Sequence, residues 1–403
     1  MPPLKLLISP NAFKGSVSSL EASRLFLDAF SGWASEQQIP AEIKCLPVAD
    51  GGDDTLCVLA DASKRQGRAI ERHTSPVMGP IEQLQVNADW LYLPAEKTVI
   101  IEAARIHGMA ILQASGLPLE PLGATSYGVG ELIRQVIKEK QPETLVLALG
   151  GSASTDGGLG ALQALGVSLL DTSEKLLPKP FCPRFFEGLS AIDLPVGTEG
   201  FGFQGLKRLL IATDTVNPLL GKRGTAYTFA PQKGASPEQC DWLELQLEKT
   251  AIILSRAFAT DYQDAVGAGA AGGLGYGLLH LPNAQIISGF QWLSESLGLE
   301  AALKDCDVLL TGEGCFDATS LTGKAVGELL AMAEANGKPV ILLCGAIEQK
   351  IRQTLPASVF TIALNDYVST DQAILYPQAS IQQAIAKNAT TLLRWFRSDG
   401  FAD

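Results

Sequence analysis

Histidine is scarce in this chain: three in 403 residues, His73, His107 and His280, and none stands beside a cysteine. A transition-metal cage or a histidine-based nucleophile triad therefore has little material, and all three are expected to be surface or packing side chains. The seven cysteines, at positions 45, 57, 182, 240, 306, 315 and 344, are odd in number, scattered and without a C-x-x-C pair. That argues against a disulfide framework and reads as a reduced, intracellular protein. Positive charge is short as well, with 31 Lys and Arg against 43 acids and a net charge of -12. Unspecific attraction to nucleic acid or to an anionic membrane is disfavoured, and an anionic ligand must be met by local cations. No apolar run is long enough to span a bilayer, and Met1 to Pro10 lacks the pattern of a secretory signal. A cytoplasmic location is the expectation.

What is present suits a soluble enzyme: 46% hydrophobic and 18% charged residues, in a length that suggests two domains. The run Gly150-Gly151-Ser152-Ala153-Ser154-Thr155-Asp156-Gly157-Gly158 lies between a strand-like stretch, Leu145 to Leu149, and a helix-like one. Its glycines allow positive φ, so successive N–H groups can turn inward, and the following helix adds partial positive charge. Phosphate is the expected guest. A tight turn that only permits close packing is an equal alternative for this loop taken alone.

Around it the chain alternates. Leu4 to Ser9 is strand-like, and Ser18-Ser19-Leu20-Glu21 has capping-box spacing before a helical pattern to Trp33. Ile43 to Val48 is a second apolar run that stops at Ala49-Asp50-Gly51-Gly52. From about Thr74 the rhythm changes, with Pro76, Gly79 and Pro80 before strand-like Leu84 to Val86 and Val99 to Ala103. Residues 171 to 205 are expected to be irregular, Leu209 to Ala212 a strand, and Pro237 to Ala259 a helix. The opening rhythm returns at Asp307 to Leu310, Leu321 to Asn336, Val340 to Leu343, Val359 to Leu364 and Ile381 to Phe396. The predicted fold is α/β. A Rossmann-like, doubly wound domain is formed by both chain ends, residues 1–73 plus 290–403, and a second α/β domain of residues 74–289 is inserted, with the ligand in a cleft between them.

Five loops share glycine, a carboxylate or lysine, and a place next to a strand or helix end. Asn11 to Ser16 offers Lys14 as a mobile cation. Asp50 to Thr55 places Asp50 at a strand end, although its acids also suit a helix N-terminus. In the third loop, the Gly150 run, Asp156 could orient a hydroxyl or a metal-bound water. Thr213 to Pro218 leads towards Lys222, Arg223 and Lys233, and Thr311 to Asp317 is followed by Thr322-Gly323-Lys324. Gly267 to Gly272 fits G-x-G-x-x-G, but polar residues stand where the fingerprint needs a strand, and no Walker A sequence exists.

This constellation resembles the bacterial glycerate kinase family of the type I fold. The resemblance rests on Pro10 to Ser16, Ala49 to Gly52, Gly150 to Gly158, Asn217 to Gly221, Pro231 to Ala235, Gly267 to Gly273 and Thr311 to Gly314. It departs from the usual pattern at Asn11, Val216 and Cys315. The resemblance implies ATP-dependent, Mg²⁺-assisted phosphorylation of D-glycerate to 2-phosphoglycerate, with D-glycerate and ATP as the partners, neither nucleic acid nor membrane, and a homodimer allowed. Substrate binding is expected at Asn11, Lys14, Ser16, Gly51 and Gly52. Nucleotide binding is expected at Gly150, Gly151, Ser152, Lys233, Gly269 and Gly272. Catalysis is expected from Asp50, Asp156, Asp317 and Lys14, with Asp50 or Asp317 taking the hydroxyl proton, and metal binding at Asp214 or Glu313. A kinase of another small hydroxy acid is the alternative. An NAD-dependent oxidoreductase is a weaker one, for want of a strand before Gly267 and of a hydride-transfer histidine, and a noncatalytic anion receptor would gain nothing from the many acids.

Overall fold

Leu6, Leu7 and Ile8 are consecutive apolar residues in the strand Leu4–Ile8, and all three are buried. A strand apolar on successive positions has to be covered on both faces, which is the situation of parallel sheets. Here Leu4–Ile8 runs parallel to Ala41–Cys45 on one side and to Val308–Thr311 on the other. Val340–Cys344 and Val359–Ala363 continue the sheet, also in parallel. Strand order is thus 359–363, 340–344, 308–311, 4–8, 41–45. The helix Ser19–Glu36 begins as the capping spacing predicts, with the Ser18 side chain accepting from the Glu21 amide at 3.2 Å. It lays Phe26, Phe30 and Trp33 into the core, and Trp33 stacks on Phe396 of the helix Pro377–Ser398 with ring centroids 5.5 Å apart.

The computed structural model describes residues 2–195 and 201–398. By internal packing the chain divides into two compact units, one of Met1–Asp50, Cys57–Ala62 and Phe290–Asp403, the other of Gly51–Leu56 and Ser63–Gly289. The first carries the five-stranded sheet above. The second has a six-stranded mixed sheet in the order 284–287, 208–212, 144–148, 98–102, 85–93, 71–78. Its first four strands are parallel, and the last two are added antiparallel. Thr144–Ala148, near the middle, is buried at every position.

The composition break near Thr74 lies within this second sheet. Thr74 pairs with Asp89 in the ladder between Glu71–Met78 and Gln85–Leu93. Pro76 is tolerated because 71–78 is an edge strand, and Gly79 turns the chain back with its amide donating to the Leu84 carbonyl at 2.6 Å. The packing boundary falls at 62/63 instead, since an edge proline and a hairpin turn imitate a linker in composition. The 171–205 segment is less irregular than its composition suggests: Ser168–Leu170, just before it, pairs antiparallel with Ala191–Asp193, and a 3₁₀ turn covers Pro183–Gly188. Positions 196–200 of that segment lie outside the described residues.

Candidate active site

Parallel strands place their following loops at one edge of a sheet, where α/β proteins bind ligands. In the second unit, Thr144–Ala148 leads to Gly150, Arg208–Ala212 to Thr213, and Thr98–Glu102 to the short helix Ala104–His107. A pocket of about 90 Å³ opens there, lined by Gly150, Gly151, Ser152 and Lys233 together with Thr213, Thr215, Phe229, Gln232 and Gly272, among others. Gly272 has φ +73, and a Cβ there would stand 1.9 Å from the Ser154 carbonyl oxygen. Only glycine lets the start of the helix Ala270–Leu279 press so closely against the loop.

Lys233 is 2% exposed, yet it lines this pocket. Its Nζ donates to Ser152 Oγ at 2.9 Å and to the Ser154 carbonyl at 2.5 Å. Burial pulls the ammonium down to about 7, opposed by the negative charge of Asp156. Both hydrogen-bond partners of this cation are neutral, and Gly150, Gly151 and Gly272 line the same pocket, so the charge is not cancelled by a direct acidic partner.

Asp156 does not line the pocket. It is fully buried and accepts from the Ser126 amide and hydroxyl, both at 2.8 Å, and from the Gly158 and Gly160 amides at 3.2 Å. Burial raises its carboxyl, and these four donors oppose the rise. It ties the starts of the helices Tyr127–Lys140 and Leu159–Ala164 to the loop. Replacing Asp156 by Asn turns an NH₂ towards donors, and we expect a loss of about 3 kcal/mol in stability. Denaturant melts would show it, and full stability of D156N would refute the anchoring role.

Of the other residues expected here, Gly52 packs on the loop, its Cβ position 3.1 Å from Gly150 Cα. Gly51 and Gly52 thus belong to the unit of the Gly150 loop, and not to that of Asn11 and Lys14. Gly269 is pinned through its amide to the Asn217 carbonyl at 2.9 Å and does not line the pocket. Asp214 follows the strand Arg208–Ala212 beside Thr213, and its Oδ1 accepts from Ser288 Oγ at 2.8 Å.

The first unit assembles a different chemistry at the carboxyl ends of its own strands. Asn11 is buried, and its Nδ2 donates to Asp50 Oδ1 at 3.0 Å. The same oxygen accepts from the amide of Ala325, first residue of the helix Ala325–Ala335, at 3.0 Å. Glu313 follows the strand Val308–Thr311 and is buried, and its Oε1 has no hydrogen-bond partner. Burial pushes its carboxyl up to about 7; the Ser320 hydrogen bond and Lys324 oppose this, and the charges of Asp50 and Asp317 reinforce it. Asp317 Oδ1 is occupied by the Thr319 amide and hydroxyl, at 2.8 and 2.6 Å, and these hold its carboxyl below the ordinary range. Lys14 is exposed on the turn between Phe13 and Val17, against which Gly314 packs. Ser16 donates its hydroxyl to the Ile374 carbonyl at 2.9 Å. Asn11, Asp50, Glu313 and Asp317 are thus linked by hydrogen bonds or by charge.

The sequence reading placed Thr213 and Thr215 in a candidate loop, Gln232 beside Lys233 and Ser154 in the Gly150 run without giving them a binding role; it passed over Phe229 and took His107 as a surface or packing side chain. The signal for Gln232 was its place just before Lys233. His107 gave no such signal, because a lone histidine in a four-residue helix has no spacing to read.

Residues 6–395 match the model of the glycerate kinase family. A glycerate kinase of Haemophilus influenzae is 36% identical over 346 residues, covering 86% of this chain and 87% of its own. A glycerate 2-kinase of Escherichia coli is 32% identical over 406 residues, covering 98% and 100%. A crystal structure assigned as glycerate kinase 2 from Salmonella typhimurium LT2 covers 98% of this chain and 100% of its own, at a TM-score of 0.75 and 30% identity. With a family match along almost its whole length and an α/β fold to correspond, this chain belongs to the glycerate kinase family and is a phosphotransferase.

Proposed function

We propose that the protein transfers the γ-phosphoryl group of ATP to the 2-hydroxyl of D-glycerate, giving 2-phosphoglycerate. The observation that carries the nucleotide half is Lys233, a buried cation without a direct acidic partner in a glycine-lined pocket. The Gly150 to Ser152 amides and Lys233 receive the phosphates. Lys14, the exposed cation of the Phe13–Val17 turn, meets the glycerate carboxylate.

Glu313 suits the role of proton acceptor better than Asp50, Asp156 or Asp317. Asp156 is enclosed with its oxygens taken by four donors and does not line the pocket, the turn bonds on Asp317 hold its carboxyl low, and Asp50 accepts from the first amide of a helix. Glu313 alone combines an unpartnered oxygen with an affinity for protons near neutrality, which is what general-base transfer needs.

No three His, Cys, Asp or Glu side chains form a metal cage among the described residues. The donor set still fits Mg²⁺, which takes most of its oxygens from phosphates and water and needs one or two carboxylates. Asp214, next to pocket-lining Thr213 and Thr215, would hold it, and the ion would neutralise charge on the transferring phosphoryl group.

A coupled assay with ATP, Mg²⁺ and D-glycerate tests the reading, with phosphorus NMR to identify the product. Formation of 3-phosphoglycerate would overturn the regiochemistry, and no turnover of glycerate beside turnover of another hydroxy acid would favour the alternative substrate. A pH dependence follows from Lys233. Its ammonium is charged below about 7 and neutral above, so ADP affinity should fall as pH rises, by up to about tenfold per unit above neutrality. Calorimetric titration at pH values on either side would detect it, and an affinity independent of pH would exclude Lys233 as the receptor.

A further inference from the structure

Behind the anion loop lies a side chain that the reaction above does not use. His107 is fully buried, its Nδ1 lies 3.0 Å from Ser154 Oγ, and its Nε2 has no partner. Its backbone holds the same loop. The His107 carbonyl accepts from the Ala153 amide at 2.7 Å, Gly108 bridges to Ser152, and the Met109 amide donates to the Gly151 carbonyl at 2.9 Å. Residues 107–109 are therefore laid as a short antiparallel ladder along 151–153. Ser154, which the imidazole touches, also supplies the carbonyl that accepts from Lys233.

We propose that His107 is a positioning residue for phosphate binding: its imidazole fixes Ser154, and through Ser154 and the 107–109 ladder it fixes the oxygens that aim the Lys233 ammonium into the pocket. The proposal rests on the reading of this pocket as the nucleotide-phosphate site. A neutral imidazole is required, because a second buried cation would repel Lys233. Burial and that repulsion together push His107 down to about 3. The charged groups facing the pair are few: Lys233 from one side, and Asp156 acting on Lys233 by charge.

The side-chain bond is made by Nδ1, whose position an asparagine amide can mimic and a leucine cannot. The test is ADP and pyrophosphate binding by calorimetry to the purified protein, with a thermal melt of each variant. H107L is expected to weaken binding by about tenfold, S154A by a similar factor, and H107N to restore most of the affinity. The double variant H107L/S154A should be no weaker than either single one, because both remove the same link. If H107L does not fold, S154A and H107N carry the test alone. Unchanged affinity in S154A, additive losses in the double variant, or equal losses in H107N and H107L would each overturn the proposal. K233M is the control that separates the two readings: if it too leaves ADP binding unchanged, the phosphate site itself is misassigned, whereas weak binding in K233M beside normal binding in S154A refutes His107 alone.

Discussion

Replacing Lys233 by Met should lower kcat/KM for ATP by about 100- to 1000-fold, the range seen when one charge-stabilising donor is removed from a transferring group. The loss should fall on both KM and kcat if the ammonium follows the phosphates into the transition state, and on KM alone if it only binds them. Misfolding is separable by its sign. The Lys233 ammonium is depressed to about 7 by burial, so between about pH 7 and the ordinary lysine range the unfolded chain binds more protons than the native one, and native stability rises with pH across that window. A methionine of similar length has no charge to desolvate. K233M should therefore be at least as stable as the parent near neutrality, by urea unfolding, while being nearly inactive. An inactive variant that is also much less stable would point to a packing role, and an active one would remove Lys233 from the mechanism.

Glu313→Gln is the second large effect: kcat should fall by about 100- to 10,000-fold with KM for both substrates little changed. The parent enzyme should show an acid limb in its kcat profile near pH 7, where Glu313 loses its proton, and E313Q should lack it. Asp50→Asn gives the control on cause. The charge of Asp50 helps to raise Glu313, so removing it should move the limb towards lower pH without abolishing it. Glu313, raised above its unfolded value, contributes stability that is present below about pH 4.5 and lost as pH rises through about 7. E313Q should accordingly be no less stable than the parent above neutrality. Retention of the acid limb in E313Q would assign the proton to another group.

Much of the architecture was legible because the strands announce themselves. Thr144–Ala148 and Val340–Cys344 are apolar at nearly every position, which only a doubly covered parallel strand requires. The Gly150 loop, Lys233 and Glu313 could be picked out as glycine next to charge. Asp156 could not be given its role: the same Asp-Gly-Gly spelling fits a catalytic acid and a carboxylate consumed by four donors, and the difference lies in Ser126, thirty residues away in sequence. Gly52 illustrates the same gap. Its sequence neighbours are the acids of its own loop, but its packing partner is Gly150. Phe229 was passed over because pocket lining depends on how the helix Thr225–Phe229 is docked, which periodicity does not encode.

The parallel pairing of Leu4–Ile8 with Val308–Thr311 has a consequence for the newborn chain. During synthesis the amino-terminal strand and helix emerge with a hydrophobic surface whose covering strands have yet to be made, and at the usual pace of translation the wait lasts some tens of seconds. The six-stranded unit draws all its strands from the intervening stretch and can close its own core first. The exposed amino-terminal segment is then the place where a nascent-chain chaperone would be needed most.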